Sequence, residues 1–148
     1  MSLLVTLKDA QKDAMRAKDK MRLGAVRSVL AAIKQREIDE RITLDEAAIT
    51  SVIVKLVKQR RDSYTQYKEA GRDDLADVEA AEIAVLEEFL PKPLNEDEIN
   101  QLIDNAIADT GAQGMQDMGK VMGVIKSQAE GRADMGKLSG LIKQRLSA

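Results

Sequence analysis

Residues 118–146 read MGKVMGVIKSQAEGRADMGKLSGLIKQRL, and the helical pattern of this stretch sets the fold class of the chain. In each half, apolar side chains recur at i, i+3, i+4 and i+7, the spacing that places them on one face of an α-helix. The first set is Met118, Val121, Met122 and Ile125, and the second is Leu138, Leu141, Ile142 and Leu146. The stretch predicts two short amphipathic helices joined by residues 131–134, with the apolar faces turned to a core.

Each of these two predicted helices also carries a pair of glycines four residues apart. The pairs are Gly119 with Gly123, and Gly136 with Gly140. A glycine inside a helix costs about 1 kcal/mol relative to alanine, so something should offset that cost. Small residues four apart either let two helix backbones approach closely or leave room for a phosphate backbone at the surface. We expect close packing of the last two helices.

The composition of the whole chain favours packed helices. Of 148 residues, 44% are hydrophobic and 32% are charged, and only three are aromatic, whereas sheets usually draw on aromatic and β-branched side chains. The sequence has no cysteine and no histidine, which excludes disulfides, thiolate or imidazole metal ligands, and Ser-His or Cys-His catalytic pairs. The sequence predicts an all-α protein with no cofactor.

Apolar periodicity predicts five further helices before this stretch. They cover residues 3 to about 17 and 20 to about 40, a third segment that begins near Leu44, a fourth that stops at Leu90, and a fifth that ends before Gly111. Several residues are suited to cap these helices by satisfying their free backbone groups. They are Asp19, Thr43 with Glu46 as a capping box, Gly71 in a left-handed conformation, Asp73 or Asp74, and Asn95 with Glu98.

Two prolines predict a domain boundary at residues 90–93. Pro91 has no amide hydrogen and disfavours helical geometry at Leu90, and Pro93 repeats the constraint. We expect an N-terminal helical domain over residues 1–90, a bundle of about four helices, and a small three-helix domain over residues 91–148. We expect no internal repeat in either.

Positive charge is concentrated toward both ends of the chain, and the middle is acidic. Residues 72–109 contain 2 basic and 12 acidic side chains, whereas residues 110–148 contain 6 and 3. Because Lys and Arg supply most sequence-independent affinity for nucleic acids by neutralising phosphates, this end is a candidate interface. The candidate residues are Lys120, Lys126, Arg132, Lys137 and Lys143. The alternative is an ordinary solvated surface.

The residue types near these candidates limit how RNA could be bound. Tyr64, Tyr67 and Phe89 all lie earlier in the chain, so any RNA contact should be to backbone and shape rather than to stacked bases. Asp134 lies where a helix N-cap belongs, and its carboxylate would occupy the free amides and repel phosphate. We expect an ordinary cap at this position.

Two other charged clusters favour structural roles. The basic run Lys55, Lys58, Arg60 and Arg61 predicts a solvated or ion-paired face, with Asp62 within helical reach of Lys58. Glu79, Glu82, Glu87 and Glu88 do not share one helical face and have no histidine to complete a metal site. We expect no bound metal.

The start of the chain, MSLLVTLKDAQKDAM, has no basic leader followed by a continuous apolar core. No later run approaches the length of about 18 apolar residues that a membrane-spanning helix requires. The sequence therefore predicts a cytoplasmic protein with no membrane partner.

Three segments resemble the GatB/YqeY family, specifically its free-standing YqeY-like proteins. They are KQRRDSYTQYKEAGRDDLADVEAAEIAVLEEFLPKPL (residues 58–94), MQDMGKVMG (residues 115–123) and GRADMGKLS (residues 131–139). The likeness covers nearly the whole chain. It implies an all-helical N-terminal domain followed by a small helical C-terminal domain.

In that family the module also forms the C-terminal tail of the B subunit of the glutamine-dependent amidotransferase that corrects mischarged Glu-tRNA or Asp-tRNA. Because the tail is regarded as a tRNA-contacting element, the resemblance implies tRNA, the amidotransferase or another translation-related protein as partners. It also implies association with carbon-nitrogen ligase activity that uses glutamine as amido-N-donor, but it assigns no active site to this short chain. The alternative is a protein-protein interaction scaffold with no RNA or catalytic role.

Overall fold

The computed structural model describes residues 2–148, which form seven α-helices and no strand. The helices are α1 Leu3–Ala17, α2 Lys20–Glu40, α3 Glu46–Glu69, α4 Asp73–Glu87, α5 Glu96–Thr110, α6 Met118–Ala129 and α7 Met135–Ser147, and a 3₁₀ turn at Met115–Asp117 leads into α6. The all-α prediction is confirmed, and α1 and α2 begin at the predicted residues and end near the predicted ones. The chain divides into two compact units, Met1–Leu90 and Pro91–Ala148.

Helices α1 to α4 pack around the aliphatic core of the N-terminal unit. Leu7, Val26, Ile53 and Leu86, one from each helix, are fully buried in this core. Burying a side chain of this size contributes about 1.5–3 kcal/mol relative to leaving it exposed. The four-helix bundle expected from the apolar stripes is therefore confirmed.

The start of α3 differs from the prediction, because Thr43 and Glu46 do not form a capping box. Asp45 is the N-cap, and its carboxylate accepts from the amide of Ala48 at 2.8 Å. The Leu44 side chain is buried, and its amide donates to Glu37 Oε2 at 2.9 Å in the segment before the helix. Glu46 Oε1 instead accepts from the amide of Leu3 at 2.8 Å, which ties α1 to α3.

The turn between α3 and α4 is also capped differently from the prediction. Gly71 has the expected left-handed φ of 72°, but the N-cap of α4 is Arg72, and Asp73 and Asp74 lie inside the first turn. Carboxylates in the first turn stabilise the helix, because they lie near the positive end of its dipole. The Arg72 guanidinium donates to both carboxylate oxygens of Asp74, at 3.2 and 3.1 Å, and holds the pKa of that carboxyl below its usual value.

Helix α4 ends at Glu87, earlier than the predicted Leu90. The amides of Glu88, Phe89 and Leu90 each donate to the carbonyl three residues earlier, at 3.1 to 3.2 Å, so the chain leaves the helix through a tighter turn. Pro91 also acts further back, because in a continued α-helix its ring would clash with the carbonyl of Glu87, four residues before it.

Helices α5 to α7 form the core of the C-terminal unit. Its buried residues are Ile103, Ala106, Val121, Ile125, Ala129, Leu138, Ile142 and Leu146. Asn95 caps α5 as predicted by accepting from the amide of Glu98 at 2.8 Å, and Gly111 ends it with φ 64°. Within residues 2–148 we find no helix with the length and apolar character needed to cross a membrane.

Candidate nucleic-acid interface

Helix α6 presents two candidate lysines on its solvent side. Val121, Ile125 and Ala129 are fully buried against α5 and α7, which fixes the rotation of the helix. Lys120 and Lys126 are exposed, and six residues of helix separate their directions by about 120° around the axis. They therefore project from two edges of the face that looks away from the core.

Helix α7 presents Lys137 and Lys143 in the same way. Leu138 and Ile142 are buried, whereas both lysines are exposed. The prediction that Leu141 also belongs to the core is wrong, because its side chain is 38% exposed. One position before Ile142 on the helix, it turns about 100° away from the buried side.

These equivalent placements follow from an internal repeat, so the expectation of no repeat is wrong. Residues 117–126 read DMGKVMGVIK, and residues 134–143 read DMGKLSGLIK, with seven of the ten positions identical. The signal is visible in the sequence when the chain is compared with itself at an offset of 17 residues. A search for helical spacing alone misses it, since that search treats the two halves separately.

The repeated glycines do not support close helix packing, and that prediction is wrong. Gly119, Gly123, Gly136 and Gly140 are all exposed. A Cβ atom added at Gly119, Gly123 or Gly140 would have no neighbour within 4 Å, and one at Gly136 would meet only Asp134 Oδ1 at 3.2 Å. Larger residues such as Val121 and Ile142 fill the core between the helices. Among the described residues, therefore, no close approach of another helix requires a glycine at these positions.

Arg132, the fifth candidate, is placed differently from the four lysines. It is half-buried; its Nε donates to the carbonyl oxygen of Lys92 at 2.9 Å, and its Nη2 lies 3.7 Å from Glu98 Oε2. It lines a shallow groove together with the carboxylates of Asp97 and Glu98. Those carboxylates disfavour a phosphate at this position, and the contacts of Arg132 lie within the C-terminal unit.

Arg145 is also used within the unit. Its guanidinium pairs with Asp104 and donates to Asn100 Oδ1 at 3.1 Å, both on α5. Arginine suits such fixed multidentate contacts, because its planar group presents several donors at once. In contrast, none of the four lysines on α6 and α7 forms an ion pair among residues 2–148.

The two aspartates that open the repeat are engaged by backbone amides. Asp134 Oδ1 accepts from the amides of Gly136 and Lys137, at 2.8 and 3.3 Å, which confirms the predicted N-cap. Asp117 holds the N-cap position of α6, but its Oδ2 accepts from the amide of Gln113 at 3.0 Å and makes no capping hydrogen bond to α6. Both carboxylates are therefore held at the helix starts.

The two arginines of the basic run in the N-terminal unit form ion pairs, and neither pairs with Asp62. Arg60 pairs with Glu82 and lies 3.6 Å from Glu79, and Arg61 pairs with Glu87. The glutamates of α4 therefore serve as partners for α3. Among residues 2–148, no group of three or more acidic side chains is arranged to hold a metal ion.

Together these features define a class: an all-helical protein of two compact units whose last two helices present repeated, exposed lysines. A family model described as Yqey-like protein matches residues 4–146. The chain belongs to the YqeY-like family.

Relatives in three yeasts share the description Altered inheritance of mitochondria protein 41, mitochondrial. The Kluyveromyces lactis protein is 41% identical over 87 residues, which cover 58% of this chain and 47% of that protein. The Meyerozyma guilliermondii protein is 44% identical over 87 residues, covering 59% and 46%. The Saccharomyces cerevisiae (strain YJM789) protein is 32% identical over 126 residues, covering 80% and 68%. The chain spans about half the length of the first two.

These relatives contradict the predicted cytoplasmic location, because all three are described as mitochondrial. The prediction relied on the first residues of this chain and on its composition. A targeting segment is separate from the folded module it directs, so the composition of the module does not report the compartment.

Proposed function

We propose that this YqeY-like chain is a tRNA-contacting module that works in association with glutamine-dependent tRNA amidotransfer. The observation that carries the proposal is the set of four exposed lysines on α6 and α7, which form no ion pair among the described residues. Lysines that are not already neutralised can exchange small counterions for phosphates, and this exchange drives sequence-independent binding to nucleic acids.

The same surface sets the mode of contact. Residues 91–148 contain no Phe, Tyr or Trp, so the surface has no aromatic platform on which an unpaired base could stack. Lysine acts as a flexible point charge and does not read base edges with a fixed geometry. The module would therefore recognise the phosphate backbone and shape of a folded RNA.

The link to amidotransfer comes from the resemblance to the GatB/YqeY family. The label of carbon-nitrogen ligase with glutamine as amido-N-donor belongs to the larger relatives with a catalytic domain. For this chain we propose an accessory role, in which the module helps a partner amidotransferase hold its tRNA substrate.

The direct test is titration of the purified protein with tRNA at several salt concentrations. We expect affinity to fall as salt rises, and to fall further when Lys120 and Lys137 are changed to Glu. The matched control is Lys55→Glu with Lys58→Glu, because these lysines are also exposed but lie on α3. Absence of binding by the unmodified protein at low salt would overturn the proposal.

The accessory role has its own assay. Amidation of mischarged tRNA by the amidotransferase subunits, with glutamine as donor, should speed up when the unmodified chain is added. The chain alone should give no product. An unchanged rate, in a mixture where tRNA binding by the chain is measured, would remove amidotransfer from the proposal and leave tRNA contact.

A second candidate function is a protein-interaction scaffold, favoured by the end of α2. Ile38 is 61% exposed and Ile42, four residues on, is 49% exposed. Exposed aliphatic side chains can dock a partner, and these two lie at the end of α2 and just beyond it. If this pair binds an amidotransferase subunit, Ile38→Ser with Ile42→Ser should abolish co-elution with that subunit and leave tRNA binding unchanged.

A further inference from the structure

The two copies of the repeat place the same two core positions in the interior of the C-terminal unit. Val121 and its counterpart Leu138 are 0% and 1% exposed, and Ile125 and its counterpart Ile142 are both fully buried. Since the same repeat positions face the core, each helix has the same rotation relative to its buried side. Lys120 therefore matches Lys137, and Lys126 matches Lys143.

In this unit the arginines form ion pairs within the fold, whereas the lysines of the repeat are exposed to solvent. The arginines outside the repeat, Arg132 and Arg145, contact carboxylates of α5. The repeated lysines are exposed and have no such partner among residues 2–148. Each copy of the repeat thus carries two exposed lysines that are available to an external anion.

We infer that α6 and α7 are two equivalent halves of one bipartite surface, each contacting its own phosphates along a continuous RNA backbone. This inference rests on the proposed tRNA contact and extends it. A free phosphate or a mononucleotide could satisfy only one half. A polyanion with regularly spaced charges matches both halves, and binding to the second half then becomes intramolecular and strengthens the first.

The inference predicts a specific pattern of salt dependence. Each neutralised phosphate adds about 0.7–0.9 to the slope of log affinity against log salt concentration. Lys120→Gln with Lys126→Gln should lower the slope for tRNA by about 1.4–1.8, and Lys137→Gln with Lys143→Gln should lower it equally. The quadruple variant should lose about twice as much.

The control is the double variant Lys55→Gln and Lys58→Gln, which should keep the full slope of the unmodified protein. Unchanged melting temperatures establish that each variant is folded. If one double variant loses as much slope as the quadruple variant while the other keeps the full slope, the proposal of a bipartite surface is wrong. The proposal of tRNA contact would still stand. If the unmodified protein does not bind tRNA at low salt, both proposals fail.

RNA length gives an independent readout. RNA hairpins with stems of increasing length should show a marked gain in affinity once one molecule reaches both helices, and either double variant should abolish that gain. A smooth increase with length that is the same in the unmodified protein and both double variants would contradict two coupled halves.

Discussion

Arg132 Nε donates to the carbonyl oxygen of Lys92 at 2.9 Å, and two residues beyond Lys92 the amide of Leu94 donates to the carbonyl of Arg132 at 2.8 Å. The loop between α6 and α7 is therefore tied by two hydrogen bonds to the proline-containing segment that precedes α5. Leu94 also packs against the core of this unit. Arg132 thus has a structural role in a loop that sequence patterns assign to the basic surface.

Arg132→Gln should lower the stability of the protein by about 1–2 kcal/mol, because it removes the guanidinium from the Lys92 carbonyl and from Glu98. The salt dependence of tRNA binding should change little. Lys137→Gln is the matched comparison and should show the reverse: an unchanged melting temperature and a lower slope. If the Arg132→Gln variant keeps full stability but shows a reduced salt-dependence slope, Arg132 contacts phosphate and the structural role is wrong.

Gly123→Ala and Gly140→Ala should each raise stability by about 0.5–1 kcal/mol. Both glycines lie inside a helix, and an added Cβ would meet no atom within 4 Å. The control is Gly111→Ala, which should lower stability by about 1–2 kcal/mol because Gly111 has φ 64°. Urea unfolding measures all three. A loss of stability at Gly123 or Gly140 would mean that a neighbour approaches that face.

Asp45→Ala should cost about 1 kcal/mol, since the Asp45 carboxylate satisfies the amide of Ala48 at the start of α3. Thr43→Ala should cost almost nothing, because Thr43 is exposed and lies before the buried Leu44. The free energies of unfolding of the two variants show whether Asp45 or Thr43 caps α3. Equal costs would favour the capping box that the sequence predicts.

Arg60→Met should destabilise the N-terminal unit by about 2 kcal/mol, because it leaves the carboxylates of Glu79 and Glu82 without their cation. These three side chains are only 17–22% exposed. Arg61→Met should cost less than about 0.5 kcal/mol, since Arg61 and Glu87 are 59% and 44% exposed and solvent screens the pair. Thermal unfolding compares them, and similar losses would refute this dependence on burial.

Local sequence alone determined the helices and most of the core. The spacing of apolar residues located α1 and α2 approximately. Asp19, Asn95 and Asp134 are predictable as caps from residue type and position, and each accepts from an amide two or three residues away. Such interactions span less than one helical turn. The repeat of residues 117–126 and 134–143 is likewise written in the sequence, although only comparison at the correct offset finds it.

Tertiary structure decided which charged side chains form contacts within the fold and whether the glycines face another helix or solvent. Arg132 contacts Lys92 and Glu98, and Arg145 contacts Asp104, all more than 30 residues away in sequence, so local pattern could not separate these arginines from the lysines. Likewise, glycines four apart fit both a close helix crossing and an open face. The large side chains of the core decided between them, because they turn those glycines toward solvent.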